Sequence, residues 1–228
     1  DIETPNIDNL AALGIRFSRF HTSPLCAPTR AMLLSGNDNH IAGMGIQSNQ
    51  NTGFGYEGKL TDRIVTIPAL LQDNGYHTYM AGKWYLGRDS LSIPFNKGFE
   101  RSFVNIRGAE NHYDDQGIFE EDPITPYFED GKPATWNKGD YSTDFYTDKL
   151  IEYIDSNQAD EKPFFGFAAY TSPHWPLQVD EKYWKKYNSG ELYDYSDQMD
   201  AEIESDVKNA VRYLGINKTF VTIYVRED

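Results

Sequence analysis

The chain reads as an α/β fold: an α/β/α sandwich around a mostly parallel, mixed sheet. Strand-like and helix-like patterns alternate along its length, the signature of helices crossing between parallel strands. An unbroken apolar run at 163–170 suits a strand buried on both faces. Three chemically notable residues, Cys26, Lys83 and His174, each fall just after a predicted strand. Ligands of such sheets bind beyond the carboxyl ends of the strands.

The elements follow in order. Residues 6–13 carry Ile7, Leu10 and Leu13 at helical spacing, and Gly14 ends the helix. Residues 15–20 alternate apolar and polar and predict a half-buried strand. A helix then starts at Cys26. Pro28 suits its first turn, residues 29–34 favour helix, and Gly36 stops it. The Gly- and Asn-rich stretch 37–62 predicts a long loop, a feature that is often functional. Thr66 and Pro68 open a helix over 66–74 that Gly75 closes. A strand over 76–80 leads into Ala81-Gly82-Lys83-Trp84-Tyr85-Leu86-Gly87. Residues 88–141 predict irregular structure with a few short strands at most. Tyr146, Leu150 and Ile154 form one stripe of an amphipathic helix over 142–155. A helix over 199–213 and a strand over 219–225 complete the pattern.

Composition sets bounds. The chain has 228 residues, enough for one large domain, and 39% are hydrophobic and 14% aromatic, enough for a real core. A net charge of -14 argues against nucleic acid as a partner. An anionic substrate would need a locally positive site inside that field. The single cysteine excludes an internal disulfide. No apolar run approaches the ~20 residues of a membrane span. Asn217-Lys218-Thr219 is a glycosylation sequon by pattern.

Cys26 falls at a helix N-terminus, where the dipole favours anions and lowers a thiol's pKa; the alternative is a buried structural cysteine. Arg30 lies in the first turns of the same helix. A cation there opposes the dipole and needs a compensating partner. Lys83 suits an anion-binding ammonium, or a solvated surface charge. His174, between Pro173 and Pro176, suits a general acid or a donor. The other histidines, His21, His40, His77 and His112, show no legible pairing. A cysteine-phosphatase loop is excluded: it needs Cys-x5-Arg, and here the spacing is Cys-x3-Arg with a proline inside.

Together these residues resemble the sulfatase family, nearest to bacterial-type and fungal arylsulfatases. Cys26-Ala27-Pro28-Thr29-Arg30 matches its Cys-x-Pro-x-Arg signature, and residues 75–87 resemble its second signature. Thr4-Pro5-Asn6-Ile7-Asp8, Asn39-His40-Ile41-Ala42-Gly43, Gly98-Phe99-Glu100 and Ser172-Pro173-His174-Trp175-Pro176-Leu177-Gln178 also match. The resemblance spans roughly residues 1–180. It implies an alkaline-phosphatase-like fold and hydrolysis of sulfate esters.

In this family the cysteine is oxidised to formylglycine by a formylglycine-generating enzyme. A hydroxyl of the hydrate attacks sulfur at a bound calcium or magnesium ion. The resemblance makes Cys26 the nucleophile precursor and a metal ligand, and Arg30 its holder. Lys83 would bind the small sulfated substrate, and His174 would stabilise or protonate the leaving oxygen. The chain departs from the pattern at Tyr85, where the family has the histidine that serves as base for sulfate release. The family's Asp-Asp metal pair would lie before Asp1, so residues 1–228 read as a catalytic domain incomplete at both ends. A phosphonate or phosphate monoester hydrolase and a non-catalytic binding relative are the alternatives.

Overall fold

The structure, a computed structural model, describes residues 3–47, 53–136 and 139–183. Helix α1 (Pro5–Leu13) and helix α2 (Cys26–Ser35) come first, then α3 (Ile67–Asp73) and strand β1 (His77–Lys83). After a 3-10 turn at Pro94–Lys97 come β2 (Arg101–Asn105), β3 (Gln116–Phe119), β4 (Asp122–Ile124), β5 (Tyr127–Glu129) and β6 (Lys132–Ala134). Helix α4 (Ser142–Ser156) and strand β7 (Phe164–Ala169) complete the described elements. The main sheet has the order β6-β5-β2-β1-β7, and β3 and β4 form a separate pair. β1 runs parallel to both β2 and β7, while β5 and β6 pair antiparallel.

The sheet is sandwiched. Successive side chains of a strand face opposite sides, and β1 uses both. Tyr79 and Ala81 join Phe103 of β2 and Tyr146, Leu150, Tyr153 and Ile154 of α4 on one face. Met80 and Val104 join Ala27, Ala31 and Leu34 of α2 on the other. All seven residues of β1 are buried. Gly82 permits the close approach of β7: it has φ +115°, and a Cβ there would collide with the Ala169 carbonyl oxygen. Among the described residues no helix is long and apolar enough to cross a membrane.

Most expected helices and strands are present, including α1, α2, α3, β1 and α4. Three readings need correction. Residues 15–20 form no strand. Ile15, Phe17 and Phe20 are exposed, and Phe17 and Phe20 meet only as neighbouring rings at 6.3 Å, with no strand beside them among the described residues. The stretch 88–141 holds more order than its composition suggests. β2 is a buried neighbour of β1. β5 and β6 form a hairpin around Asp130 and Gly131, both at positive φ (48° and 79°), the geometry of a two-residue hairpin turn. Third, β7 is only partly buried, with Gly166 and Ala168 exposed. Its phenylalanines reach both core faces, but it has one sheet neighbour among the described residues. The expected helix at 199–213 and strand at 219–225 lie outside the described residues.

The N-terminal end of the sheet carries an ionic clip. His77 Nδ1 lies 2.6 Å from Glu100 Oε2, and its Nε2 lies 2.7 Å from Asp160 Oδ2. Burial opposes charge on His77, but the two carboxylates outweigh it and raise its pKa above the usual histidine value. The stability this clip contributes is therefore fully present below about pH 6.5, the unfolded-state value. It is lost as pH rises through the raised folded-state pKa. Thermal unfolding of the parent should weaken over that interval relative to His77→Gln, which should flatten the pH dependence. A parent and variant with parallel profiles would contradict the clip.

Candidate active site

Cys26 occupies the first position of α2 and is 8% exposed. The backbone preceding the helix is extended at Leu25, and Thr29 Oγ1 donates to the Ser23 carbonyl (2.8 Å), which ties that approach to the first turn. Gly36 ends the helix in the left-handed region, φ 65°, as expected of a C-terminal glycine. From the 37–62 loop, Gln47 Nε2 donates to the Cys26 sulfur at 3.0 Å. Free N–H groups and the helix dipole at this end favour negative charge.

Arg30 has the compensating partners that its position demands. Its Nε donates to the Trp84 carbonyl oxygen at 3.0 Å, and Nη2 donates to the Lys83 carbonyl oxygen. A planar guanidinium fork can serve two acceptors at once. Its face also lies 6.0 Å from the Phe167 ring centroid. Arg30 thus fastens the Cys26 helix to the end of β1.

Lys83 is the last residue of β1 and 4% exposed. Its ammonium stands 5.5 Å from the Tyr85 ring centroid. Tyr85 itself adopts φ 53°, unusual for a bulky residue. Its ring packs so tightly on Gly108 that a Cβ there would lie 2.8 Å from Tyr85 Cε1. Lys83 pairs in register with Asn105 of β2. Just beyond Asn105 lies Glu110, fully buried, which accepts from Tyr127 (2.9 Å) and Tyr146 (2.6 Å). Burial raises its pKa; the nearby Thr171 hydroxyl, the hydrogen bonds from Tyr146 and Tyr127 and the charge of Lys83 oppose the rise. An acidic group therefore lies within the field of the buried lysine.

His174 sits in the loop that follows β7 and is half-buried. Its backbone N–H donates to the Thr171 carbonyl (2.9 Å). Its Nδ1 lies 2.7 Å from the Trp175 carbonyl oxygen, which can only accept. The proton of the neutral ring therefore resides on Nδ1, and Nε2 carries the lone pair. The structure thus brings Arg30 onto Lys83 directly, and places Lys83 and the His174 loop at the same end of parallel neighbours β1 and β7.

Sequence reasoning missed the pairings of His77 and the burial of His112. Neither has a spacing signal, because their partners lie far along the chain. Among the described residues, no group of three or more His, Cys, Asp or Glu side chains could hold a metal ion. Hard divalent cations take several oxygen ligands. No such set surrounds Cys26 among the described residues.

A sulfatase family model matches residues 1–222. The chain belongs to the sulfatase family. It is 40% identical over 202 residues to an uncharacterised sulfatase of Schizosaccharomyces pombe, covering 82% of this chain and 36% of that protein. It is 37% identical over 193 residues to an arylsulfatase of Klebsiella aerogenes, covering 82% and 41%. The chain thus spans well under half the length of these sulfatases. The crystal structure of Ps i-CgsB matches with a TM-score of 0.78 at 28% identity, covering 94% of this chain and 50% of that one. A structure of BT4656 with its substrate D-glucosamine-2-N,6-O-disulfate matches with a TM-score of 0.62 at 29% identity, covering 85% and 34%. Sulfatases as a family use formylglycine and a divalent metal and act on sulfated substrates.

The Arg30 fork is testable by itself. Arg30→Lys keeps the charge but cannot serve both carbonyls. Urea unfolding should show a loss of about 1–3 kcal/mol, the range for hydrogen bonds to charged groups and the acceptors they leave behind. Unchanged stability would contradict the proposed fastening.

Proposed function

We propose that this chain contributes the nucleophile and anion-binding side of a sulfuric ester hydrolase of arylsulfatase type. The supporting observation is the Cys26 helix, fastened by Arg30 to the strand end that carries a buried lysine, in a chain of the sulfatase family. Cys26 is the residue oxidised to formylglycine by a formylglycine-generating enzyme. The resulting aldehyde supplies, as its hydrate, one hydroxyl to attack sulfur and a second to release sulfate. Arg30 keeps that residue in register with β1. Lys83, desolvated at its strand end, binds the sulfate oxygens, where its charge acts strongly in a low-dielectric setting. Attack on sulfur breaks the S–O bond to the alcohol or phenol, and His174 delivers a proton to the leaving oxygen from Nε2. The ion implied by the family, calcium or magnesium, has no ligand set among the described residues, so these steps are those of the chain's own side chains.

The substrate is a small sulfated molecule. A disulfated glucosamine named as the substrate of one structural neighbour supports a sulfated sugar. A non-catalytic binding role is the second reading, favoured by Tyr85, which stands beside Lys83 where the family has a basic histidine. Tyrosine, with a pKa of about 10, is a poor base near neutrality.

Two measurements test this. Mass spectrometry of the peptide containing Cys26, from cells with the modifying enzyme, should give the aldehyde, and Cys26→Ala should abolish hydrolysis of p-nitrophenyl sulfate. p-Nitrophenyl phosphate and phosphonate esters should be poorer substrates; a preference for them would move the assignment to that alternative. Tyr85→His should raise turnover at least about tenfold, the low end of general-base effects being about a hundredfold. No gain would defeat the explanation of Tyr85 as the weak point.

A further inference from the structure

The loop carrying His174 is held from behind by residues that neither family signature contains. Ser172 Oγ lies 3.0 Å from Tyr141 Oη and 3.2 Å from Thr143 Oγ1. At the other end of the loop, Gln178 is gripped twice. Its backbone carbonyl accepts from Tyr141 Oη (2.8 Å), and its side-chain Oε1 accepts from the His112 backbone N–H (2.8 Å). The Ser172 end of the segment therefore rests on Tyr141 and Thr143, at the start of α4, and the Gln178 end on Tyr141 and His112.

His112 joins these contacts. It is fully buried. Its carbonyl accepts from the Ser142 N–H (2.8 Å), its Nδ1 lies 2.6 Å from Ser142 Oγ, and its ring centroid is 5.5 Å from that of Tyr141. Its Nε2 has no hydrogen-bond partner within the described residues. The backbone and imidazole of His174 also act on the ring electrostatically. Burial pushes the His112 pKa down to about 4, so the ring is neutral at working pH and adds no charge beside His174.

We propose that His112 is a positioning residue for His174: its buried ring and its bond to Gln178 set where the His174 imidazole stands relative to the leaving oxygen. The proposal rests on the role given to His174 above. A misplaced acid harms poor leaving groups more than good ones, because an acidic phenol departs with little help. The readout is therefore selectivity among leaving groups.

The experiment uses the full chain and a series of aryl sulfates, from p-nitrophenyl to the less acidic phenyl and p-methoxyphenyl. In His112→Ala, kcat/KM, which reports the steps up to departure of the phenol even when sulfate release limits kcat, should fall progressively more as the phenol becomes less acidic, with at least about tenfold between the ends of the series. His112→Gln, which keeps a side-chain amide at similar reach, should recover most of the loss. His112→Ala keeps its backbone N–H, so Gln178→Ala removes the other support of the segment, the Oε1 that accepts from that N–H, and should repeat the trend if His112→Ala does not fold. A loss in kcat/KM equal across all phenols would overturn the proposal. His174→Ala is the reference. If it discriminates among phenols and the His112 and Gln178 variants do not, only the positioning role fails. If His174→Ala itself is flat, the acid role fails, and the positioning proposal with it.

Discussion

Arg30 donates to the carbonyl oxygens of Lys83 and Trp84, and that contact joins the helix beginning at Cys26 to the middle of the parallel strands. Without it, an arginine near a helix N-terminus would be a destabilising cation. With it, the same residue becomes the link between the two signatures of the chain. The contact works only because β1 is fixed. Its seven residues are buried, its two faces feed separate cores, and Gly82 lets β7 approach within the reach of a missing side chain. A strand held this firmly offers its terminal carbonyls as a rigid anchor, and the Cys26 helix inherits that rigidity.

The electrostatics follow from the same geometry. The chain is strongly acidic overall, at net -14, so an anion site must be made locally positive. Lys83 is placed at a strand end and taken out of water, where its charge counts for more. Glu110 lies within its field, buried among two tyrosine hydroxyls and Thr171. Burial disfavours ionisation of that carboxyl and the lysine favours it, so the pair is balanced rather than simply attractive. The opposite end of the sheet has the reverse arrangement, a histidine held between two carboxylates.

Much of this was legible in the sequence because the strongest signals are local. The Cys26 helix, its Gly36 stop, the Thr66 start of α3, the strand into Lys83 and the stripe of α4 each depend on neighbours a turn or less away. The errors lie where tertiary context decides. Residues 15–20 alternate correctly for a strand, but alternation makes a strand only when a partner pairs with it. β2 was hidden in an irregular-looking stretch because a short buried strand owes its stability to β1 rather than to its own propensity. The Asp130-Gly131 turn was the signal that could have revealed the β5–β6 hairpin. At the site, the four motif residues were visible, but the carbonyl partners of Arg30, the grip on the His174 loop and the burial of Glu110 and His112 join residues dozens of positions apart, and no spacing rule reaches them.

The central claim is that Cys26, Lys83 and His174 serve one small anion at the shared strand end. A crystal structure of the full chain grown with sulfate tests it most directly. The account predicts a sulfate whose oxygens contact Lys83 Nζ and His174 Nε2 while its sulfur faces residue 26. A sulfate bound at neither side chain, or an ordered structure in which those two groups point to separate surfaces, would contradict it.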